Sequence, residues 1–326
     1  MKIIFVGVFY YHGLTRHLFH VFEVFNKLAR VFEAAGIDCR YFAKQSNLLP
    51  DDKLLTEEQF TAALPEADCV FMWNGSLAKE KDIAEQCKEI GIPVYFCELG
   101  WLPQAGTIYF DRKGINYNSS LSDWQYSPLS DDQQFWVQSR KEHFHQCIAR
   151  TTGIDPGTDF VFVPLQVEAD SQIKVFSRFE TMQQVIDYIC GQVPGRIIFK
   201  KHPKGEYGEL RVPAHCEIVE AGTTHDYLPK CRYVVTVNST VGVEALTYHK
   251  PVITLGRAFY GGRRISYEAL TDETFKTAVE WAETGKAAVG VIDAFLYHLF
   301  RKQWHRTELS DLKKVMSLIR GLTCES

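Results

Sequence analysis

The fold is decided by the stretch from Arg232 to Tyr260, which reads RYVVTVNSTVGVEALTYHKPVITLGRAFY. Residues 233–237 form a short apolar, β-branched run, which is typical of a buried parallel strand. Residues 238–240 follow with three small polar side chains, whose oxygens suit the start of a helix. Residues 241–248 predict that helix, a Lys-Pro pair ends it, and residues 252–255 predict the next strand. The stretch therefore predicts a βαβ unit.

The start of this helix is a candidate anion site, because it lies at the carboxyl end of a parallel strand. Ser239 and Thr240 can cap the helix, and Gly242 lets another group approach its first turn closely. Glu244 lies one turn beyond Thr240 on the same face, so its carboxylate can bind a ribose diol while the helix end holds a phosphate. An ordinary βαβ unit with a Ser/Thr cap explains the same residues.

Strands and helices alternate along most of the chain, which predicts an α/β fold with parallel sheets. Further strands are predicted at residues 2–8, 38–43, 69–73, 94–98, 159–167, 196–200 and 217–219, with helices at 18–35, 79–91, 133–149 and 181–190. Residues 100–130 lack periodicity but are rich in aromatic residues, which predicts an ordered functional loop.

Two Rossmann-like halves are predicted, joined by a linker at residues 152–157. We expect a GT-B-like fold with a cleft between the two domains and a C-terminal helical tail. The predicted domains are an acceptor-side domain at residues 1–155, a nucleotide-binding domain at 156–295, and helices at 296–326 that pack back.

Composition narrows the class of protein. The 326 residues suit about two domains, and a net charge of −4 implies no general affinity for nucleic acid. The nine cysteines form no CxxC pair, which argues against a zinc cluster and a disulfide framework, and no DxD triplet is present. Neither a signal peptide nor an apolar run of about 20 residues is present, so we expect a cytoplasmic protein.

Residues 295–306 mix aromatic and basic side chains, a composition compatible with peripheral contact at the inner membrane. Packing of these aromatic side chains in the protein core is the favoured interpretation.

Two further stretches follow predicted strands in the second half. In one, Lys201 and His202 precede Pro203, which restricts His202 to an extended backbone and aims its ring into the cleft, where it can offset charge on a departing phosphate. A simple turn explains the same residues. In the other, residues 166–171 include Asp170, which is a candidate nucleophile or base and equally a candidate helix cap.

These motifs resemble the bacterial capsule polysaccharide biosynthesis proteins, and within them the retaining β-Kdo transferases that use CMP-Kdo. The resemblance covers most of residues 95–262 and rests on ELGWLPQAGTIYFDRKGINYNSS, FVPLQVEADSQI, FKKHPKGEYGE and VNSTVGVEALTYHKPVITLGRAFYGG. The His-Pro and Ser/Thr motifs are also similar to those of bacterial sialyltransferases, and the Gln-x-x-x-Asp motif, here Gln166 to Asp170, favours Kdo.

The resemblance implies a role for each motif. CMP-β-Kdo would be the donor, with its phosphate at His202 and at the Ser239–Thr240 helix end, and its ribose at Glu244. Asp170 would be the catalytic carboxylate, and retention by double displacement would make it the nucleophile. Retention without an adduct is an alternative. The residues of this chain that are predicted to bind the donor are Gln166, Lys201, His202, Pro203, Ser239, Thr240, Glu244 and Arg263.

The acceptor side is less defined by the sequence. Glu98 ends a strand of the first domain and is the candidate base for the acceptor hydroxyl; a structural carboxylate is the alternative. Arg263, with its neighbour Arg264, can pair with the Kdo carboxylate, while Arg16 and His17 are candidates on the acceptor side. A CMP-sugar carries one phosphodiester, so no metal or other cofactor is expected.

The predicted partners are a CMP-sugar and a glycan acceptor, lipid-linked or free, and a second glycosyltransferase is compatible with the single-unit length. The alternatives are another CMP-sugar or capsule transferase, an enzyme like the nucleotide-sugar epimerases, and a non-catalytic nucleotide- or glycan-binding module.

Overall fold

A computed structural model describes residues 1–7, 16–43, 52–76, 78–148 and 152–320, without the side chains of residues 16–20 and 171. The chain divides into two compact units. Unit 1 consists of residues 1–100, 104–120 and 302–326, and unit 2 consists of residues 101–103 and 121–301.

Unit 1 is built on a sheet of seven strands. Its strands are β1 (Lys2–Val6), β2 (Asp38–Phe42), β3 (Leu54–Leu55), β4 (Cys69–Trp73), β5 (Val94–Leu99), β6 (Thr107–Asp111) and β13 (Gln303–His305). Its helices are α1 (Arg16–Ala34), α2 (Glu57–Ala63), α3 (Ala78–Glu89) and α11 (Leu312–Ile319).

The strand order in this sheet is β13-β6-β5-β4-β1-β2-β3. Strands β1 to β5 are parallel, while β6 and β13 pair antiparallel at one edge. The strands are apolar on both faces because both faces are covered: Phe5 and Phe71 pack toward α1 and α11, whereas Val70 and Met72 pack toward α2 and α3.

Unit 2 contains a second sheet and most of the remaining helices among the described residues. Its strands are β7 (Val161–Pro164), β8 (Ile197–Lys200), β9 (Cys216–Val219), β10 (Val234–Thr236), β11 (Val252–Thr254) and β12 (Tyr267–Glu268). Its helices are α4 (Asp131–Ile148), α5 (Ser171–Phe176), α6 (Met182–Cys190), α7 (Thr224–Tyr227), α8 (Thr240–Thr247), α9 (Asp272–Glu283) and α10 (Val289–Lys302).

The sheet of unit 2 is parallel throughout, with the order β12-β11-β10-β7-β8-β9. The chain runs outward from β7 to β9 and then returns to place β10 on the other side of β7. The sheet therefore has a topological switch point between β7 and β10, where doubly wound sheets bind their ligands. The segments that follow the carboxyl ends of these two strands carry four of the predicted site residues, Gln166, Asp170, Ser239 and Thr240.

The predicted strands and helices of the opening stretch are present, with α8 beginning at Thr240 after the cap Ser239. Several short elements were not predicted, and β6 and α5 are two of them. Strand β6 lies within the stretch expected to be irregular, and α5 lies in a predicted loop. Both are too short to show a periodic pattern in the sequence.

Residues 121–148, which the sequence analysis placed in the first domain, belong to unit 2, and residues 302–326 belong to unit 1. Helix α4 joins unit 2 through buried polar contacts that the sequence does not reveal. The aromatic side chains of Phe295 and Trp304 are buried, so they pack in the core. No helix in the described ranges is long and apolar enough to span a membrane.

A buried ion pair and a neighbouring histidine in unit 2 form what we call the Lys141 cluster, which consists of Lys141, His249 and Asp293. The Lys141 ammonium lies 3.0 Å from Asp293 Oδ1, and His249 Nε2 lies 2.8 Å from the same oxygen. Gln134 and Gln138 donate to the other carboxylate oxygen. The side chain of Asp293 is fully buried, and every charge in the cluster has a partner. The cluster therefore fastens α4 to α10 and to the end of α8.

Candidate active site

The loops after β7 and β10 are joined by a pair of side-chain amides. Gln166 Nε2 donates to Asn238 Oδ1 at 3.0 Å, and Gln166 Oε1 accepts from the backbone N–H of Asn238 at 3.0 Å. Asn238 Nδ2 also donates to the carbonyl of Gln172 at 2.9 Å. Gln166 is buried, so this pairing fixes the start of α8 relative to the loop that carries Asp170.

The N-terminus of α8 is largely capped from within. Ser239 Oγ accepts from the N–H of Val241, and the N–H of Ser239 is bonded to Thr236 Oγ1. Among the described residues, the N–H and the hydroxyl of Thr240 have no hydrogen-bond partner. Thr240 therefore leaves a donor pair open at the positive end of the helix, which suits a phosphate.

Tyr260 supports the same helix tip from behind. Its hydroxyl donates to the carbonyl of Ser239 at 2.5 Å, and the side chain is fully buried. A Cβ atom at Gly242 would lie 2.4 Å from that hydroxyl, so the close approach predicted at Gly242 is made by Tyr260. A glycine in the first turn is the sequence signal for this close approach, whereas its partner Tyr260 is identified only by the structure.

His202 lies beyond the carboxyl end of β8. Its Nδ1 accepts from the N–H of Lys204 at 3.1 Å, which leaves Nε2 to carry the ring proton in the neutral form. Residue His202 is exposed overall, but its ring is partly desolvated. This desolvation, and secondly the charge of Lys204, lower the pKa of His202, whereas the charge of Asp170 raises it. His202 is thus a neutral Nε2–H donor at pH 7, close enough to Asp170 to sense its charge.

Asp170 is the N-cap of α5, and its Oδ1 accepts from the N–H of Gln172 at 2.9 Å. The capping role that the sequence offered as an alternative is therefore present. Because the side chain is exposed and the cap uses Oδ1, the carboxylate also faces solvent and is available for chemistry. The structure brings Gln166, Asp170, His202, Asn238, Ser239 and Thr240 together at one edge of the sheet, and we call these residues the switch-point cluster.

Glu244 lies on α8, but its carboxylate contacts α7. Thr224 Oγ1 donates to Glu244 Oε2 at 2.9 Å, and His225 Nε2 lies 3.5 Å from the same oxygen. Burial raises the pKa of Glu244 to about 7, and the Thr224 hydrogen bond opposes the shift. Burial and the charge of His145 lower the pKa of His225 to about 4. Sequence reasoning missed the two α7 partners.

Several predicted donor-binding residues have local partners. Lys201 Nζ is paired with Glu220 at 2.7 Å, and Pro203 lies in the turn after β8. Arg263 donates to the carbonyls of Leu121, Ser122 and Phe259. Its guanidinium therefore already fastens residues 121–122, so binding a donor carboxylate would require breaking these bonds. Binding of the Kdo carboxylate by Arg263 therefore remains a prediction.

In unit 1, Glu98 is the penultimate residue of β5, one residue before the strand ends. Its Oε2 accepts from Asn74 Nδ2 at 3.1 Å, and its Oε1 accepts from the N–H of Leu99. Asn74 directly follows β4 with a φ of 67°, so the ends of the two strands are held together. The side chains of Arg16 and His17 lie outside the described part of the structure. The described residues contain no group of His, Cys, Asp and Glu arranged to hold a metal ion.

The fold and this site define an α/β protein with two Rossmann-like domains, each with a switch point in its sheet. The fold is matched by two solved structures. A chain of Thermosulfurimonas dismutans KpsC titled beta Kdo 2,7 transferase superposes with a TM-score of 0.59 over 96% of this chain and 100% of that chain, at 16% identity. A second, titled beta Kdo 2,4 transferase, gives 0.56 over 90% and 89%, at 14% identity. The predicted GT-B-like fold is confirmed.

Residues 137–306 match the sequence profile described as capsule polysaccharide biosynthesis protein, and the chain belongs to this family. Protein FixF of Sinorhizobium fredii is 32% identical over 207 residues, which are 59% of this chain and 49% of FixF. The capsule polysaccharide modification protein LipB of Neisseria meningitidis is 26% identical over 187 residues, 51% of this chain and 42% of LipB. The chain thus spans about half the length of these curated relatives.

Proposed function

We propose that this chain is a retaining β-Kdo glycosyltransferase that moves Kdo from CMP-β-Kdo to a glycan acceptor during the assembly of a capsule or other surface polysaccharide. Family membership supports the polysaccharide role, and the fold is that of two chains titled as β-Kdo transferases. The observation that carries the proposal is the switch-point cluster, in which a carboxylate, a neutral His donor and an open helix end lie together.

The donor phosphate would bind at the start of α8. The N–H and hydroxyl of Thr240 are open there, the helix dipole favours an anion, and His202 can donate from Nε2. When CMP leaves, its phosphate gains negative charge, and these neutral donors would stabilise that charge. The proposal contains no metal, because a CMP-sugar carries a single phosphate instead of a pyrophosphate.

The transfer would proceed in two displacements. A carboxylate oxygen of Asp170 attacks the anomeric carbon of Kdo, and the bond from that carbon to the phosphate oxygen breaks, so CMP leaves with the electron pair. The acceptor hydroxyl then loses its proton to a base, attacks the same carbon and releases Asp170. Two inversions give a β-linked product from a β-linked donor. Glu98 is the proposed base. Gln166 would order the N-terminus of α8, and Glu244 would bind the ribose of CMP.

The family implies partners that we include in the proposal. The acceptor would be a growing glycan, either free or lipid-linked, and the enzyme would act in the cytoplasm, where peripheral contact with the inner membrane would bring it to a lipid-linked chain. A partner glycosyltransferase that supplies the alternating step of a polymer is also part of the proposal.

Nucleotide binding is the first test. In a thermal shift experiment, CMP should raise the melting temperature in a concentration-dependent manner, and UDP should have no effect, because mass action stabilises only a protein that binds the ligand. The variant His202→Ala should lose most of the CMP shift, whereas His215→Ala, in an exposed position of the same unit, should keep it. Stabilisation by UDP and not by CMP would contradict the proposal.

Transfer is the second test. The protein is incubated with glycan acceptors while a synthetase forms CMP-Kdo in the same tube, and the product linkage is determined by NMR. A β-linked Kdo product is expected, and intact mass spectrometry should trap a Kdo adduct on Asp170. Transfer from CMP-sialic acid but not from CMP-Kdo would assign the chain to another class of CMP-sugar transferase.

A further inference from the structure

Unit 2 contains a cavity of about 580 Å³ that the proposed reaction does not use. It is lined by residues 262–264 and 266–268, by Trp281 of α9 and by residues 286–288, which precede α10. A cavity of this size is within the range of sites that bind small molecules or one to two sugar rings.

The cavity carries an excess of positive charge. Arg263, Arg264 and Lys286 contribute cations to its wall, and Glu268 contributes one carboxylate. Arg263 is engaged with backbone carbonyls. Among the described residues, Arg264 and Lys286 have neither a hydrogen-bond nor an ion-pair partner for their side chains. Two cations from separate segments are therefore free to bind an anion in this cavity.

The backbone that presents Arg264 is strained. Gly262, Arg263 and Arg264 have φ values of 69°, 52° and 64°, which is the left-handed region that side chains other than glycine rarely adopt. The bonds of Arg263 to the carbonyls of residues 121 and 122 hold this conformation. Strain of this kind is retained where the surrounding structure fixes it, often at ligand-binding sites, and here it directs Arg264 to the cavity wall.

The rest of the wall is suited to a sugar ring. Tyr267 and Trp281 lie side by side, with ring centroids 5.8 Å apart, and both line the cavity. Aromatic rings offer a flat apolar surface that matches the C–H face of a pyranose. Glu268 can accept hydrogen bonds from sugar hydroxyl groups. A bare phosphate ion would use the cations alone and leave the aromatic wall unfilled.

The cavity is separate from the tip of α8. Tyr260 is fully buried between them: its hydroxyl bonds to Ser239 at the tip, and its carbonyl accepts from Ser266, which lines the cavity. A donor held by its phosphate at Thr240 would have Tyr260 between itself and Arg264. The occupant of the cavity is therefore better matched to the glycan than to the donor sugar.

We infer that this cavity binds a carboxylate-bearing sugar residue of the acceptor glycan, with Arg264 and Lys286 on the carboxylate and Tyr267 and Trp281 against the ring. The inference rests on the proposed function, because it takes the chain to act on an acidic glycan. A guanidinium fork fits a carboxylate with two parallel hydrogen bonds, which gives Arg264 the leading part.

Binding is measured by saturation-transfer NMR titration of the full chain with methyl β-Kdo glycoside as the probe. Its methyl ester serves as the neutral control. Inorganic phosphate is the simple anion, and its binding is measured by competition with the glycoside. The glycoside should bind and the ester should bind about tenfold more weakly, because a hydrogen-bonded charge pair contributes that much. Arg264→Gln and Lys286→Gln should each weaken binding about tenfold. Lys276→Gln, an exposed lysine on α9, should leave binding unchanged.

The outcomes separate this inference from the proposed function. Equal binding of the glycoside to the wild type and to the Arg264→Gln/Lys286→Gln double variant would overturn the inference, as would phosphate binding as tight as glycoside binding. In transfer assays, Arg264→Gln should raise the KM for the acceptor and leave the KM for CMP-Kdo unchanged; a rise confined to the donor KM would assign the cavity to the donor sugar. If CMP fails to bind the wild type while the glycoside binds through Arg264, the proposed function fails and the cavity assignment stands.

Discussion

Unit 2 contains two polar clusters that differ in how completely their groups are paired. In the Lys141 cluster, Asp293 is fully buried and bonded to Lys141, His249 and two glutamines. In the switch-point cluster, Asp170 is exposed, and among the described residues His202 Nε2 and the Thr240 N–H have no hydrogen-bond partner. The first set of residues has its hydrogen-bonding capacity used within the protein, whereas the second has capacity left for a ligand.

This difference indicates what each cluster contributes. A buried charge that loses its partner destabilises the fold, while an exposed group at the end of a strand can be changed with little effect on folding. Substitutions in the Lys141 cluster should therefore change stability at unchanged activity per folded molecule. Substitutions of the open groups of the switch-point cluster, which are Asp170, His202 and Thr240, should do the reverse.

The largest effect is expected for Asp170→Asn. If Asp170 is the nucleophile, the activity should fall by about 10⁴-fold, because an amide cannot form the glycosyl ester. Stability should stay the same, since Asn caps a helix as well as Asp does. The measurements are the rate of transfer from CMP-Kdo and the thermal melting temperature.

Asp311→Asn is the matched control for this variant, because Asp311 is also a helix N-cap. Its Oδ1 accepts from the backbone N–H of Lys314 in the first turn of α11. Both the activity and the melting temperature of the control should equal those of the wild type. Full activity of Asp170→Asn would refute the nucleophile role and leave Asp170 as a helix cap only.

The second-largest effect is expected for a substitution in the buried Lys141 cluster. Lys141→Met should lower the free energy of unfolding by about 3–5 kcal/mol, because it leaves the Asp293 carboxylate buried with fewer partners. Chemical denaturation measures the loss, and activity per folded molecule should be kept. Lys276→Met removes an exposed lysine of the same unit and should change stability by about 0.5 kcal/mol or less. A small effect of Lys141→Met would show that the cluster does not hold α4 in place.

The sequence predicted those features of unit 2 that depend on local sequence patterns. The βαβ stretch at residues 233–255 was found from its apolar runs, the Ser239 cap and a helix-ending Lys-Pro pair, and its elements are present within one or two residues. The loop ends that carry Gln166, His202 and Thr240 followed from the rule that parallel strands bring their carboxyl ends to one edge.

The parts that the sequence did not predict depend on contacts between distant residues. Lys141, His249 and Asp293 are far apart in the chain, and none belongs to a pattern, so their pairing and the place of α4 in unit 2 could not be read from the sequence. Two further contacts also join residues that are distant in the chain. Glu244 accepts a hydrogen bond from α7, and Arg263 donates to the backbone carbonyl of Leu121. Each of these contacts changes the role that a residue can play.

Glu244 lies between the two classes, and its pH dependence sharpens the comparison. Burial raises its pKa to about 7 from an ordinary value of 4.5, so it contributes stability below pH 4.5 that is lost as the pH rises through 7. Glu244→Gln removes this dependence and should make the protein about 1–3 kcal/mol more stable than the wild type at pH 8, relative to their difference at pH 5.

Urea denaturation at pH 5 and pH 8 measures this change. Glu142→Gln, which replaces an exposed carboxylate on α4, is the matched control. If Glu244→Gln follows the wild type at both pH values, Glu244 is ionised at little cost, and it then belongs with the open groups of the switch-point cluster.

The smallest effect is expected for Ser239→Ala, which removes the cap of α8. Loss of the bond from the Val241 N–H to Ser239 Oγ should cost about 1 kcal/mol of stability. Thr271→Ala removes the cap of α9 in the same unit and should cost a similar amount. The two variants should differ in CMP binding, which Ser239→Ala should weaken about threefold to tenfold, because its side chain fixes the N–H groups that face the phosphate. Equal CMP affinity in both variants would mean that the α8 tip, although its Thr240 donors are open, does not hold the phosphate, and the open cluster would then need another ligand.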